Sequence, residues 1–275
     1  MLATALVILA AAPPLALLMV AAVPTAVANR HPFRIGAVVT GLTAASLVAA
    51  GAAAGLLVVT GPVDQPLLEA PAPLPVNLGI YFDALTAVMF LLISAVGLVI
   101  ARFAISSLAG EAGQGRFFKW LAFTVGSVLI MVVSRNLLMF TAAWMLMSLG
   151  LHQLLLQYPD RPWAIWAARK KFLVSRLGDA FLIAALALTF WCFGSSDYAT
   201  VFAQANDLDA QGLGWWDTVI GLCFVVGAMT KSAQVPFHSW LPDTMEAPTP
   251  VSALMHAGII NAGGFLVIRL SPLIS

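Results

Sequence analysis

Apolar runs of about 20 residues, the length that crosses a bilayer as a helix, recur along the chain with short polar segments between them. They predict eight spans, at 3–27, 35–59, 82–107, 117–134, 137–157, 165–193, 214–238 and 250–271. Pro13 and Pro14 are expected to kink the first. Small residues crowd the stretch from Ala44 to Gly55 and allow close helix packing. The segment 61–80 is rich in proline and poor in charge, which predicts a lid-like surface loop and not a domain. The predicted fold is all-α and polytopic, with spans 1–2 and an outer loop over 1–80 and a bundle of spans 3–8 over 81–275.

Composition agrees with the pattern. Of 275 residues, 61% are hydrophobic and 9% charged, against about 45–50% and about 25% in a soluble domain. The surrounding medium is therefore the lipid bilayer. A net charge of +1 gives no reason to expect a nucleic-acid partner. Segments after spans 1, 3 and 5 carry or adjoin Arg30, Arg34, Arg116, Lys119, Arg161, Arg169, Lys170 and Lys171. Those after spans 2 and 6 carry Asp64, Glu69, Asp197, Asp207, Asp209 and Asp217, without lysine or arginine. The positive-inside rule then places the N-terminus outside; Arg135 is the exception. Span 1 is longer than a signal-peptide core and lacks a positive flank, so it reads as a retained helix. Cys192 and Cys223 lie in apolar runs without metal spacing and read as packing residues.

Polar groups within the spans carry the candidate chemistry. Asp83 opens span 3, either capping the helix or serving ion access. In span 5, Met145, Ser148 and His152 share one helix face, and His152 either packs or titrates near neutral pH. In span 6, Lys171, Ser175 and Asp179 form a polar stripe, and Arg176 and Asp179 are spaced to pair. Trp163 and Trp166 suit an interfacial belt.

Span 7 delivers Lys231, followed by Pro236. A lysine at mid-span costs about 2.5–3.5 kcal/mol on insertion scales. Irregular backbone at membrane depth is tolerated only within protein or beside water. A broken seventh helix that presents Lys231 to a polar path satisfies both demands. His238, Asp243 and Glu246 then follow, as an ion entrance or as helix caps. His256 and Asn261 lie in span 8, and Arg269 near its far end is expected to snorkel.

The strings ARKKFLVSRLGD and KSAQVPFHSWLPDTMEAPTPVSALMHA carry a resemblance. They resemble the antiporter-like membrane subunits of respiratory complex I and the Mrp cation/proton antiporters. The resemblance extends over about residues 80–272. It implies that spans 4–8 form one of two inverted repeats, so the chain holds the first half-channel of an antiporter-like subunit. It implies ion-path roles for Lys231 and His256, and for Lys170 or Lys171: ungapped register favours Lys170, helical phase Lys171. The family usually has a glutamate after the span 5 tryptophan, where this chain has Met145 after Trp144.

That departure, with SLGLHQLLLQYPDRP, resembles the DabB branch of the family. The resemblance implies a subunit conducting protons or sodium, partnered by a zinc-binding DabA-like protein in inorganic carbon accumulation. Catalytic zinc chemistry would lie on that partner; here no cofactor or metal site is predicted and the chain is not expected to be an enzyme. The competing expectation is a complex I pump or Mrp antiporter subunit. A purely structural anchor leaves Lys231, His238, His256 and Asp179 unexplained. The expected location is a bacterial inner membrane.

Overall fold

The computed structural model describes residues 1–69, 77–208 and 215–274. Helices dominate them: α1 Leu2–Ala21, α2 Thr25–Arg30, α3 Pro32–Thr60, α4 Ala84–Ser107, α5 Gln114–Val133, α6 Leu137–Leu155, α7 Pro162–Phe193, α8 Tyr198–Leu208 and α9 Trp216–Lys231. Four-residue α10, Trp240–Asp243, follows, and then a last span, Thr249–Arg269. Among the described residues, seven helices are long and apolar enough to cross a membrane. The predicted seventh span is not among them. At 16 residues α9 is about 24 Å long, short of the bilayer core. Its apolar run continues past Lys231 as turns, where the sequence places Pro236.

The expected lid-like loop is corrected in part. Val63–Glu69 (β1) and Asn77–Phe82 (β2) pair antiparallel as a hairpin. Ile80 and Phe82, two residues apart on one face of β2, are both buried and fix the hairpin against the bundle. Residues 70–76 and Asp209 lie outside the described residues. α1 runs through Pro13 and Pro14 as one helix.

Buried side chains concentrate where α5 and α6 pack on α1, α3, α4 and the last span. α5 is the central helix, with 72% of its membrane window buried against 33% for α1. Small residues set the closest approaches. A Cβ on Gly115 would stand 2.1 Å from the Ala28 carbonyl oxygen, and one on Gly150 2.3 Å from Thr124 Oγ1.

Two polar networks sit at the acidic end of the bundle. Arg135, the exception to the charge rule, pairs with Asp64 of β1 and with Asp197, the latter at 2.9 Å. Gly79 leaves the space the arginine needs, since a Cβ there would stand 2.4 Å from Arg135 Cδ. Arg269 does not snorkel. It is 6% exposed, and its Nη1 and Nη2 donate to Asp83 Oδ2 and Oδ1 at 2.7 and 2.9 Å. Asp83 also caps α4 by accepting from Thr86 N at 2.9 Å. One carboxylate thus starts α4 and anchors the last span.

Candidate functional site

Lys231 is the last residue of α9, where the negative end of the helix dipole favours a cation. The helix end is closed by other groups. Ala228 O accepts from Ser232 N at 2.9 Å, Met229 O from Gln234 N at 2.9 Å, and Thr230 O from the buried Trp240 indole at 3.2 Å. Ala233 takes a positive φ of 49°, the left-handed turn that commonly ends helices. On the far side, a π-turn at Met255–Ile259 interrupts the last span, and Ile260 O accepts from Ser232 Oγ at 2.7 Å.

Around the break, two lysines converge on one serine. Lys231 Nζ donates to the hydroxyl of Ser148 on α6 and lies 4.6 Å from the Trp144 ring centroid. Lys171 Nζ, from α7, donates to the carbonyl of the same Ser148 at 2.8 Å. Lys231 is 4% exposed, Lys171 1% and Ser148 1%. Helical phase, and not ungapped register, therefore identifies the buried lysine of span 6. Lys170 points the other way, half-buried, and pairs with Asp243 at 2.7 Å.

Asp179 is 2% exposed on α7, one residue beyond Gly178. A Cβ on Gly178 would stand 2.0 Å from Thr230 Oγ1, and one on Gly227 3.5 Å from the Gly178 carbonyl oxygen. These two glycines bring α7 against the end of α9 and set a carboxylate beside the lysine-bearing turn. The expected pair is present, with Arg176 Nη2 2.5 Å from Asp179 Oδ2. Neither carboxylate oxygen has a well-directed hydrogen bond, so the contact is one of charge. The Arg176 guanidinium lies 4.9 Å from the Phe172 ring, and His152 meets that ring at the same centroid distance. His152 Nδ1 is buried without a partner.

The remaining predicted residues stand apart. His238 is exposed. Glu246 faces Arg161 at 3.8 Å, both well exposed. With Lys170–Asp243, this pair ties the segment after the break to α7. His256 and Asn261 are exposed on the last span. Sequence reasoning missed the double role of Ser148, the Trp144–Lys231 contact and the Gly178–Gly227 approach. Its one signal was that Ser148 shares a face with Met145. Among the described residues no three histidine, cysteine or acidic side chains gather as a metal set. The arrangement can hold a proton or an excess positive charge within the bundle and exchange it between amines.

Comparisons with known proteins agree in direction. The family described as NADH:quinone oxidoreductase/Mrp antiporter, TM, matches residues 134–275, and that described as complex I chain 5 N-terminus matches 70–118. The chain is 42% identical over 217 residues to the probable inorganic carbon transporter subunit DabB2 of Halothiobacillus neapolitanus, covering 77% of this chain and 39% of that protein. It is 39% identical over 201 residues to NADH-quinone oxidoreductase subunit L of Mycobacterium tuberculosis, covering 73% and 31%. Its fold superposes on the Mrp complex from Dietzia sp. with TM-score 0.74 and 26% identity, over 92% of this chain and 28% of that one. The chain therefore spans well under half the length of these relatives.

Proposed function

Because the chain belongs to the NADH:quinone oxidoreductase/Mrp antiporter membrane family, we propose that it forms part of a cation path, for protons before sodium, with Lys231 as its central station. The observation that carries this reading is the convergence of Lys231 and Lys171 on Ser148. Two ammonium groups so placed repel each other, so a proton reaching one lysine favours release from the other. Asp179, paired with Arg176, supplies the nearby negative charge that the methionine at 145 cannot. His152 feeds the pair from α6, and His256 with Asn261 carries the path onward from the outer face of the last span. Asp243, Glu246, Lys170 and His238 govern access at the basic end. The half-channel reading and the division at residue 80 belong to this proposal.

In this reading the protein is a DabB-type subunit. It passes cations down their gradient and energises inorganic carbon accumulation by a DabA-like zinc-binding partner, which carries the catalysis. In this reading the N-terminus lies outside a bacterial cytoplasmic membrane, the orientation that the loop charges favour. Met145, in place of a carboxylate, and the 42% identity to DabB2 favour it. The Mrp-like fold supports a second reading, a subunit of a redox pump or sodium/proton antiporter. Lys231→Ala tests the shared core. Carbon-uptake complementation is expected to be lost while the assembled complex is still recovered from membranes, and full complementation removes Lys231 from the path. Co-purification separates the readings: a large zinc protein supports the first, flavin and iron–sulfur subunits the second.

A further inference from the structure

A cavity of about 300 Å³ opens at the end of the bundle opposite the Arg135 and Arg269 networks. Its walls come from segments that follow α4, follow α6 and precede the last span. Three membrane-crossing helices start or stop there, so the cavity lies at the depth of lipid headgroups. Its lining is polar. Tyr158 OH donates to Glu111 Oε2 at 2.8 Å, the Arg161 guanidinium sits 4.4 Å from the Tyr158 ring centroid, and Arg161 faces Glu246 at 3.8 Å. Burial and the Glu111 carboxylate push the Tyr158 phenol up, so it stays a donor. Met245, 84% exposed, stands among the lining residues.

We propose that this cavity binds the headgroup of a phosphoethanolamine lipid, with the phosphate on Arg161 and the ammonium between Glu111 and Glu246. The Arg161–Glu246 contact is long and solvent-facing, so each charge keeps bonding capacity for a ligand of mixed sign. Tyr158 occupies one oxygen of Glu111 and leaves the other. Two carboxylates against one guanidinium disfavour a purely anionic headgroup. A choline headgroup has no N–H donors and is held instead by aromatic faces. Tyr158 is the aromatic residue of the lining, and Arg161 already covers its face. The chemistry selects a primary ammonium joined to a phosphate. Met245 offers an apolar contact where the acyl chains leave the pocket. Glu246 is shared with the access proposed above, while Arg161, Glu111 and Tyr158 lie outside the ion path.

The test uses the full-length protein, in the assembly in which it purifies, in nanodiscs of equimolar phosphatidylethanolamine, phosphatidylcholine and phosphatidylglycerol. Lipids retained on gentle release are counted by native mass spectrometry. Phosphatidylethanolamine is expected to be retained about tenfold over phosphatidylcholine, the difference made by a charge-assisted hydrogen bond or two. Arg161→Gln and Glu111→Gln should each remove that preference. Both side chains lie at the surface end of the bundle, and unchanged thermal melting of the variants shows that the fold survives. Equal retention of the three lipids, or a preference unchanged in both variants, overturns the proposal. Displacement of the retained lipid by soluble O-phosphoethanolamine overturns the lipid assignment in favour of a soluble zwitterion, and failure to displace it supports the lipid.

Discussion

Lys231 donates to the hydroxyl of Ser148, and the carbonyl of that same serine accepts from Lys171. A small residue of α6 therefore holds two amines from two other helices, one through its side chain and one through its backbone. The division makes the two contacts separable by mutation.

Ser148→Ala removes the hydroxyl and leaves the carbonyl. Lys231 then keeps the Trp144 face but loses its acceptor, a loss of about 1–3 kcal/mol for a buried donor. Proton flux through reconstituted vesicles, followed with an internal pH dye, is expected to fall by about tenfold, with a lower melting temperature. Wild-type flux with a lowered melting temperature assigns Ser148 to packing alone.

His152→Leu removes a ring whose Nδ1 is buried without a partner while keeping the contact with Phe172. Uptake is expected to slow by about three- to tenfold, below the effect of an essential proton carrier. An unchanged rate across pH 6–8, which brackets the ordinary imidazole range of about 6.5, returns His152 to a packing role.

Gly178→Ala would drive a methyl into Thr230 Oγ1, 2.0 Å from the position of its Cβ. Separating α7 from α9 is expected to lower stability by about 1–3 kcal/mol and to displace Asp179 from the lysine turn. Thr230→Ala in the same chain should restore part of the loss. Melting of the two single variants and the double variant gives the coupling directly; additive losses mean that the helices do not meet at this point.

Asp83→Asn leaves Arg269 buried without its counter-charge, at a loss of about 3–5 kcal/mol, towards the lower figure because the Asp83 side chain is 22% exposed. Burial favours the neutral acid, but the hydrogen bonds and charge of Arg269 and the Thr86 N–H outweigh it and hold the carboxyl below its usual value. With the folded value below the unfolded one, the stabilisation is complete above about pH 4 and disappears as pH falls through the folded value. Melting curves of wild type and Asp83→Asn should differ by a constant amount from pH 5 to 8 and converge only in stronger acid. Convergence already at pH 6 contradicts the clamp.

Much of this was legible in the residues alone. The cost of a charge or an open backbone in lipid is large enough that apolar runs located the spans, and Lys231 with Pro236 located the break after α9. The pairing of Arg176 with Asp179 followed from helical spacing, since both lie on one helix three residues apart. The hairpin did not follow, because 61–80 is short and proline-rich and its pairing depends on what Ile80 and Phe82 bury against.

What crosses between helices was decided only by the tertiary structure. Periodicity gives a side chain's angle about its own helix axis but not which helix stands opposite. The sequence alone therefore does not separate Lys170 from Lys171; in the fold α6 presents Ser148 to the second and the segment after the break presents Asp243 to the first. In the same way Arg269 found Asp83 across 186 residues, and Arg135 joined Asp64 to Asp197. The charges among these that are buried, Lys171 and Arg269, had to be satisfied for the chain to remain in a bilayer, so the sequence determined that partners exist; only the packing of helices against one another determined which.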